Sequence, residues 1–503
     1  MTRPLIAASG GLAALLLSTA AWAQVTPEQV WQNWQDVGQA YGQTLSATAQ
    51  ERQGDTLVIS GLKIVSTFEG GSVAGEIATV NFRDLGDGTV EVTMSPDYPL
   101  TVETTEPEVG TTVVKAQVRQ PDLKMIASGS ETETRYDFTA PAVKVAVDEV
   151  TTDGEKVDMT LEVDVTALAG DYVVTKGETS TLASSLKADS AGLVLAMNDP
   201  ETQGKFNLKG SVTTLAGTSD GSLLDAVAMA DMSAALKAGF STSSNFTYGA
   251  GSFEFDFAEG PQSGKGNATL GGGDIRLAMN AERLNYGGGA RDVELVVSSS
   301  DMPFPELRTS YAEAAFNLLM PVSKAEEPGD FAVLTRLVDF TINDEAWALL
   351  DPGAVLPRDP ATLIVDAKGK LKWLVDIMNP AETEAMTGEE VPAEIDSLDV
   401  TELRLSAVGA EVTGAGAFTF DNTDTTTFPG VPAPTGQLDL KIVGANGLID
   451  KLIQLGFLPE DQAMGARMMM GLFAKPVEGQ EDTLTSTLEF KDKGFYANGQ
   501  RLQ

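Results

Sequence analysis

The sequence predicts a mainly β (α+β) fold: a large curved antiparallel sheet or stacked sheets, with a few amphipathic helices on one face and a C-terminal helical hairpin. Three observations predict it. Apolar and polar residues alternate with period two from Leu57 to Thr213 and again from Phe253 to Val297, as half-buried antiparallel strands require. Gly, Asp and Pro turn signals break the alternation into short runs, the pattern of a meander. Helical spacing is confined to a handful of segments, so helices can cover only part of such a sheet.

At the amino end, Arg3 precedes an apolar run from Leu5 to Leu17, and Ala21-Trp22-Ala23 fits the small-x-small cleavage rule. Residues 1–23 therefore read as a secretory signal peptide, with the mature chain beginning at Gln24 in the periplasm. Thr26-Pro27-Glu28-Gln29 is a helix start, with Thr at the N-cap, Pro at N1 and Gln at N3. Val30, Trp34, Val37, Tyr41 and Leu45 then predict an amphipathic helix running to about Ala49, within an N-terminal helical unit of residues 24–53.

A β meander is predicted over 54–217. Its clearest strand puts Val157, Met159, Leu161, Val163 and Val165 on one face and Asp158, Thr160, Glu162 and Asp164 on the other. Gly210 to Gly217 is read as its close, followed by a helix from Ser222 to Lys237. A helix-plus-β region over 218–330 contains the runs Phe253–Phe257, Ile275–Met279 and Val293–Val297. Here Gly271–Gly273 and Gly287–Gly289 are read as turns and Pro305 to Met320 as a helix. The last region, 331–503, is a β domain with a short helix at Asp344 to Leu350, an acidic loop from Asn379 to Ser397 and a proline loop from Phe428 to Gly436. Its hairpin, Gly444 to Leu455 and Pro459 to Ala474 with Gly456 at the break, lies within 444–474.

The stretch Trp347-Ala-Leu-Leu-Asp-Pro with Leu356-Pro-Arg-Asp-Pro resembles an uncharacterised exported-protein family of Gram-negative bacteria, one defined only as a domain of unknown function. So does the ending Phe490-Lys-Asp-Lys-Gly-Phe-Tyr-Ala-Asn-Gly. The resemblance implies no activity, cofactor or functional residue.

Composition narrows the chemistry. The 503 residues contain no His and no Cys, and the formal net charge is −38. An imidazole base, a Ser-His-Asp triad, a thiol nucleophile and Cys- or His-type metal sites are thereby excluded. A nucleic-acid partner is disfavoured because phosphate binding rests on Lys and Arg. No stretch after residue 23 reads as a bilayer-spanning helix. Three motif matches are set aside on chemistry. Gly217-Thr-Ser219-Asp-Gly221 has the nucleophile-elbow pattern but lacks a histidine, so Asp220 or Ser222 is read as a helix cap. Ser184 and Lys187 should fall on opposite faces of a strand, and Gly260 to Lys265 fails the phosphate-loop spacing. The pairs Glu162/Asp164 and Glu254/Asp256, about 7 Å apart at alternate strand positions, read as solvated sheet face. No catalytic, cofactor or metal residue is assigned.

The expected function is a non-enzymatic envelope protein that binds lipid or another hydrophobic partner, such as an envelope protein, along a one-sided sheet. The alternatives are a carboxylate enzyme acting on cell-wall polysaccharide and a structural envelope scaffold. A membrane β-barrel is disfavoured, because 5 Trp and 8 Tyr cannot furnish two aromatic girdles. The stripe Met464, Met468, Met469, Leu472 and Phe473 reads first as core against a sheet and otherwise as a set of hydrophobic-partner contacts. Amino-terminal sequencing of protein from a periplasmic fraction should begin at Gln24; a product retaining Met1 would overturn the export reading.

Overall fold

A computed structural model describes residues 24–68, 70–107, 110–200, 202–224, 231–384, 386 and 392–503. The leader read at residues 1–23 lies outside them. Strands make up 64% of the described residues and helices 12%. All the described strands belong to one antiparallel sheet; from Arg283–Ser299 to Ala410–Asp421 each pairs with the strands before and after it along the chain, while elsewhere short strands are skipped, as where Thr242–Tyr248 joins Gly272–Met279. The first strand, Gln43–Ser46, pairs only with Thr56–Phe68, and the last, Gln500–Arg501, only with Gly494–Ala497. The ladder therefore stays open at both ends.

Directly paired residues of antiparallel strands share a face, so the register traces rows of side chains across the whole sheet. One row runs from Leu57 through Phe82, Val92, Met125, Phe138 and Gly170 to Leu186. It continues through Gly217, Phe246, Ile275, Gly288 and Phe316. It finishes through Thr335, Val365, Leu403, Gly414, Leu440 and Ser486. Eighteen strands, about 80 Å of sheet at ~4.8 Å per strand, thus carry one row whose only polar members are Thr335 and Ser486. The adjacent opposite-face row contains Asp171, Ser185, Thr218, Asn245, Arg276, Asn317 and Asp366. The sheet is one-sided along its length.

Glycines alternate with bulky residues in the apolar row because a side chain there would collide with its neighbours. A Cβ on Gly170 would lie 2.8 Å from Phe138 Cζ, and one on Gly288 would lie 2.5 Å from the Asp274 carbonyl. Two readings are corrected. The meander does not close at Gly210 to Gly217, which lies inside the strand Lys205–Leu223, and Gly287–Gly289 is no turn but lies inside the strand Arg283–Ser299. Pro305 to Met320 is likewise no helix: Leu307–Pro321 is a strand paired on both sides. Its Ala-rich helix propensity is overridden because Phe316, Leu318 and Met320 complete the apolar rows. Left-handed residues at Ala167, Thr214, Asp292 and Asp339 interrupt long strands. Beyond them the alternation resumes with opposite parity, odd at Val157 to Val165 and even at Gly170 to Val174.

The amino-terminal helix, Pro27–Ala40, has the expected capping box, in which Thr26 Oγ1 accepts from Gln29 N and Gln29 Oε1 accepts from Thr26 N. It ends at Ala40 rather than near Ala49. Gly42, at φ 69°, breaks it, and Gln43–Ser46 joins the sheet edge, taking Leu45 with it. The helix covers the first strands: Val30 and Trp31 are buried, and Trp31 and Trp34 pack on Phe82 with centroids 6.0 and 5.2 Å apart. Buried Asn33 donates to Thr134 at 2.7 Å, and Lys176 pairs with Asp36 at 2.9 Å.

The helix expected over Ser222 to Lys237 is Met232–Lys237, capped by Asp231 rather than by Asp220 or Ser222. Ser222 and Leu223 end a strand, and 225–230 lie outside the described residues. Asp344–Leu350 is helical as expected. The acidic loop contains a short helix, Pro380–Glu384, and its carboxyl end from Ala393 is strand, while 385 and 387–391 lie outside the described residues. The proline loop is shorter than expected, since the strand Ala433–Val443 includes Pro434. The hairpin is present as Ala445–Gln454 and Glu460–Phe473, with Gly456 at φ 75°. The Asp482 carboxylate, in place of a side-chain cap, accepts from Asn446 N and Gly447 N at 3.1 and 2.8 Å and anchors its first turn.

Covered and open parts of the row should differ in stability. Phe82→Ala, in the buried cluster beneath the helix, should cost about 3–5 kcal/mol. Phe316→Ala, 40% exposed in the same row, should cost less than about half of that. Urea denaturation of the two variants measures the contrast, and equal losses would contradict an uncovered face.

Candidate functional site

The candidate site is the apolar face itself, built from alternation and register rather than from a constellation of polar groups. At its amino-terminal end the face is roofed by the helix and curls. A cavity of about 450 Å³ there is lined by Trp34, Val37, Leu45 and Ile64 on one side and by Phe138, Tyr172, Leu182 and Leu186 on the other. Ile64 and Leu186 lie six strand positions apart in the ladder, about 29 Å on a flat sheet. Only a sheet bent toward its apolar side brings both to one cavity, so the face forms a trough at this end.

Two tyrosines form part of the cavity wall. Tyr136 and Tyr172 pair across neighbouring strands with stacked rings 4.4 Å apart. Burial pushes the Tyr136 hydroxyl up to about 12, and burial, followed by its tyrosine neighbour, pushes that of Tyr172 up as well. Tyr172 Oη donates weakly to Met125 Sδ at 3.7 Å. Tyr136 Oη and Trp34 Nε1 are buried, and among the described residues neither completes a hydrogen bond of good geometry. Asn33, the polar side chain beside Tyr136, donates one amide proton to Thr134 at 2.7 Å and partly offsets the effect of burial on the Tyr136 hydroxyl.

Beyond Leu186 the same face continues, and among the described residues several of its large side chains are exposed. Ile275 is 49% exposed, and Leu277, Tyr286, Phe316, Leu318 and Val333 are exposed to nearly the same degree. They occupy two adjacent rows, since Ser244, Leu277, Tyr286, Leu318 and Val333 are successive register partners. The chain exposes 29059 Å² in all, against roughly 18,000 Å² for a compact globule of this mass. A second cavity of about 910 Å³ opens at the hairpin edge, where Met197, Phe206 and Phe257 meet Lys156, Asp158 and Lys205. At the carboxyl end the face closes on aromatic packing of Phe490 against Phe428 and Phe495, with centroids 5.4 and 4.9 Å apart.

The stripe on the second hairpin helix is exposed rather than core: Met464 and Met468 are 73% and 71% accessible, and Met469 and Leu472 are also exposed. Phe473 differs, turning inward to within 6.3 Å of the Phe495 ring. Ala463 is the position that the helix buries, so its apolar surface exceeds what the sheet takes up.

The motif-bearing residues fall into structural settings. Ser219 sits mid-strand with its hydroxyl 2.8 Å from that of Ser244, not on a strand-to-helix elbow. Ser184 and Lys187 occupy opposite faces of the strand Ser180–Asn198. Gly260 forms the turn between Gly251–Glu259 and Gln262–Leu270. Glu162 pairs with Lys144 at 2.7 Å and Asp256 accepts from Asn207 at 3.0 Å, both on the polar face. Among the described residues, no group of three or more Asp or Glu could hold a metal ion, and no helix is long and apolar enough to cross a membrane.

One polar cluster escaped the sequence reading because its parts lie about 140 residues apart. Ser233 donates to buried Asp376 at 2.7 Å, and Lys237, one turn along the same helix, reaches Ser233 at 2.9 Å and Asp376 at 3.1 Å. A Ser-Lys dyad needs a neutral amine as its base, whereas this Lys is ion-paired, so the cluster acts as a clamp between the helix and the loop after Trp373. Burial works to raise the Asp376 carboxyl, but hydrogen bonds from Ser233, Lys237 and the Met378 amide outweigh it and hold it below the usual carboxylate value.

The model of the family described as "Uncharacterized protein conserved in bacteria (DUF2125)" matches residues 224–499, more than half of the chain. No curated protein and no solved structure matches the chain.

Because the folded Asp376 value lies below the unfolded one, the clamp stabilises fully above the ordinary carboxylate range and loses its contribution as pH falls through the folded value. Asp376→Asn should therefore be less stable than wild type at pH 6, with the gap narrowing below pH ~4. Urea midpoints across that window test it.

Proposed function

The chain belongs to this bacterial family, and we propose that it is a non-enzymatic lipid-handling protein whose open apolar face receives acyl chains. One observation supports the reading above others: a row over eighteen strands that is apolar except at Thr335 and Ser486, with Ile275 and Phe316 left 49% and 40% accessible past Leu186. Water against such a face is costly at ~25 cal/mol per Å², and contiguous exposed apolar surface of this extent marks a binding surface rather than ordinary protein exterior. The leader-like segment ending at Ala23 supports an envelope setting for this activity, and the polar opposite face keeps the rest of the slab in water.

Native mass spectrometry and organic extraction of the purified mature protein should recover bound lipid, either co-purifying or taken up from phosphatidylethanolamine vesicles. Leu277→Asp with Phe316→Asp, both at accessible positions, should retain the far-UV spectrum and lower lipid recovery at least tenfold. Wild-type protein that takes up no lipid, or a folded variant that retains it in full, would overturn the proposal.

A further inference from the structure

The apolar face carries one polar seam, and its position is specific. Five consecutive strands place a hydroxyl in the same row: Tyr136, Tyr172, Ser184, Ser219 and Ser244 are successive register partners. The seam begins inside the roofed cavity, whose wall includes Tyr136, Tyr172 and Ser184, and emerges onto the open face at Ser219 and Ser244. Beyond it the row returns to Leu277. Hydroxyls on an apolar face cost free energy unless something pairs with them. Ser219 and Ser244 bond to each other, which uses one of their two protons. Tyr136 Oη and Trp34 Nε1 are buried at the cavity wall beside Asn33 and the Tyr172 hydroxyl, and among the described residues neither completes a hydrogen bond of good geometry.

Charge selects among polar ligands. No Lys or Arg lines the cavity. Among the described lining residues the one charged type is Asp171, whose carboxylate lies on the opposite face, where it accepts from Ser185 at 2.5 Å and pairs with Arg135 at 3.2 Å. A carboxylate or phosphate brought here would lose its hydration with no cation to replace it, in a protein of net charge −38. An ester carbonyl or alcohol would instead find neutral hydroxyl and indole donors.

We infer that the cavity beneath the amino-terminal helix seats the chain of an uncharged single-chain amphiphile, with its ester or alcohol head held on the Ser184–Ser219–Ser244 seam. This rests on the lipid reading of the face and assigns it a selective end.

The test is displacement of an uncharged naphthylamine fluorophore from the mature protein at pH 8 by monooleoylglycerol or oleate, each below its aggregation concentration. Monooleoylglycerol should bind at least tenfold more tightly than oleate. Ser184→Ala with Ser219→Ala and Ser244→Ala should weaken it about tenfold, the worth of two ordinary hydrogen bonds, and leave the fluorophore and oleate unchanged. Leu182→Trp, which fills the cavity, should abolish monooleoylglycerol binding while lipid on the open face is retained. If the fluorophore binds but the two ligands compete equally, or if the serine variant is unaltered, the seam has no such role. Absence of any fluorophore or lipid binding would overturn the wider reading with it.

Discussion

The backbone ladder constrains everything else in this molecule. From Thr56 to Lys491 the strands pair antiparallel within a single ladder, each with strands next to it or a few strands away along the chain, and pairing of that kind aligns side chains in rows whether or not anything covers them. Once Leu57 faces one side, register carries the same side through Phe82 and Phe138 to Phe316 and Leu440. The polar residues are forced onto the other face. A slip of one residue in any strand would turn its apolar set outward, so the close fit of rings over glycines acts as a register lock as well as a packing device.

The amino-terminal helix resolves only part of the resulting problem. Trp31, Trp34 and Val30 seal the first strands into a buried core that includes Ile59, Leu62, Val80 and Tyr136. Fourteen helical residues span about 21 Å, against a row of about 80 Å. The other described helices lie at hairpin edges and leave the rest of the face in contact with solvent. The molecule therefore has a buried core beneath the helix and smaller buried groups further along, such as Leu236, Val322, Ile364 and Leu484, with exposed apolar face between them, which is the physical origin of its candidate site.

Electrostatics acts differently on the two faces. Pairs such as Lys115–Glu149 and Lys144–Glu162 sit in water and contribute little individually, while the excess of acids sets solubility and repels anions at long range. On the apolar face, charge is nearly absent and hydroxyls carry what specificity there is. A fold without His or Cys has few means of catalysis, but it has ample means of sorting ligands by polarity and charge.

Much of this was legible in the sequence, for a local reason. Alternation at Val157 to Val165, the Thr26–Gln29 capping box and the Gly456 break depend on near neighbours alone, so strands, helix start and hairpin could be assigned without coordinates. The misreadings share the opposite cause. Gly287–Gly289 looks like a turn until Phe316 and Ile275 are known to flank Gly288, and Pro305 to Met320 looks helical until two strands claim its backbone. Whether Met468 was core or surface depended on how much of the hairpin the sheet could bury. The hydroxyl seam and the Ser233–Lys237–Asp376 clamp were invisible for the same reason, since each joins residues far apart in the chain. Composition and period determined that the sheet would be one-sided; only the tertiary register decided which residues share a row and how little of that row is covered, because both depend on pairings made across the chain rather than along it.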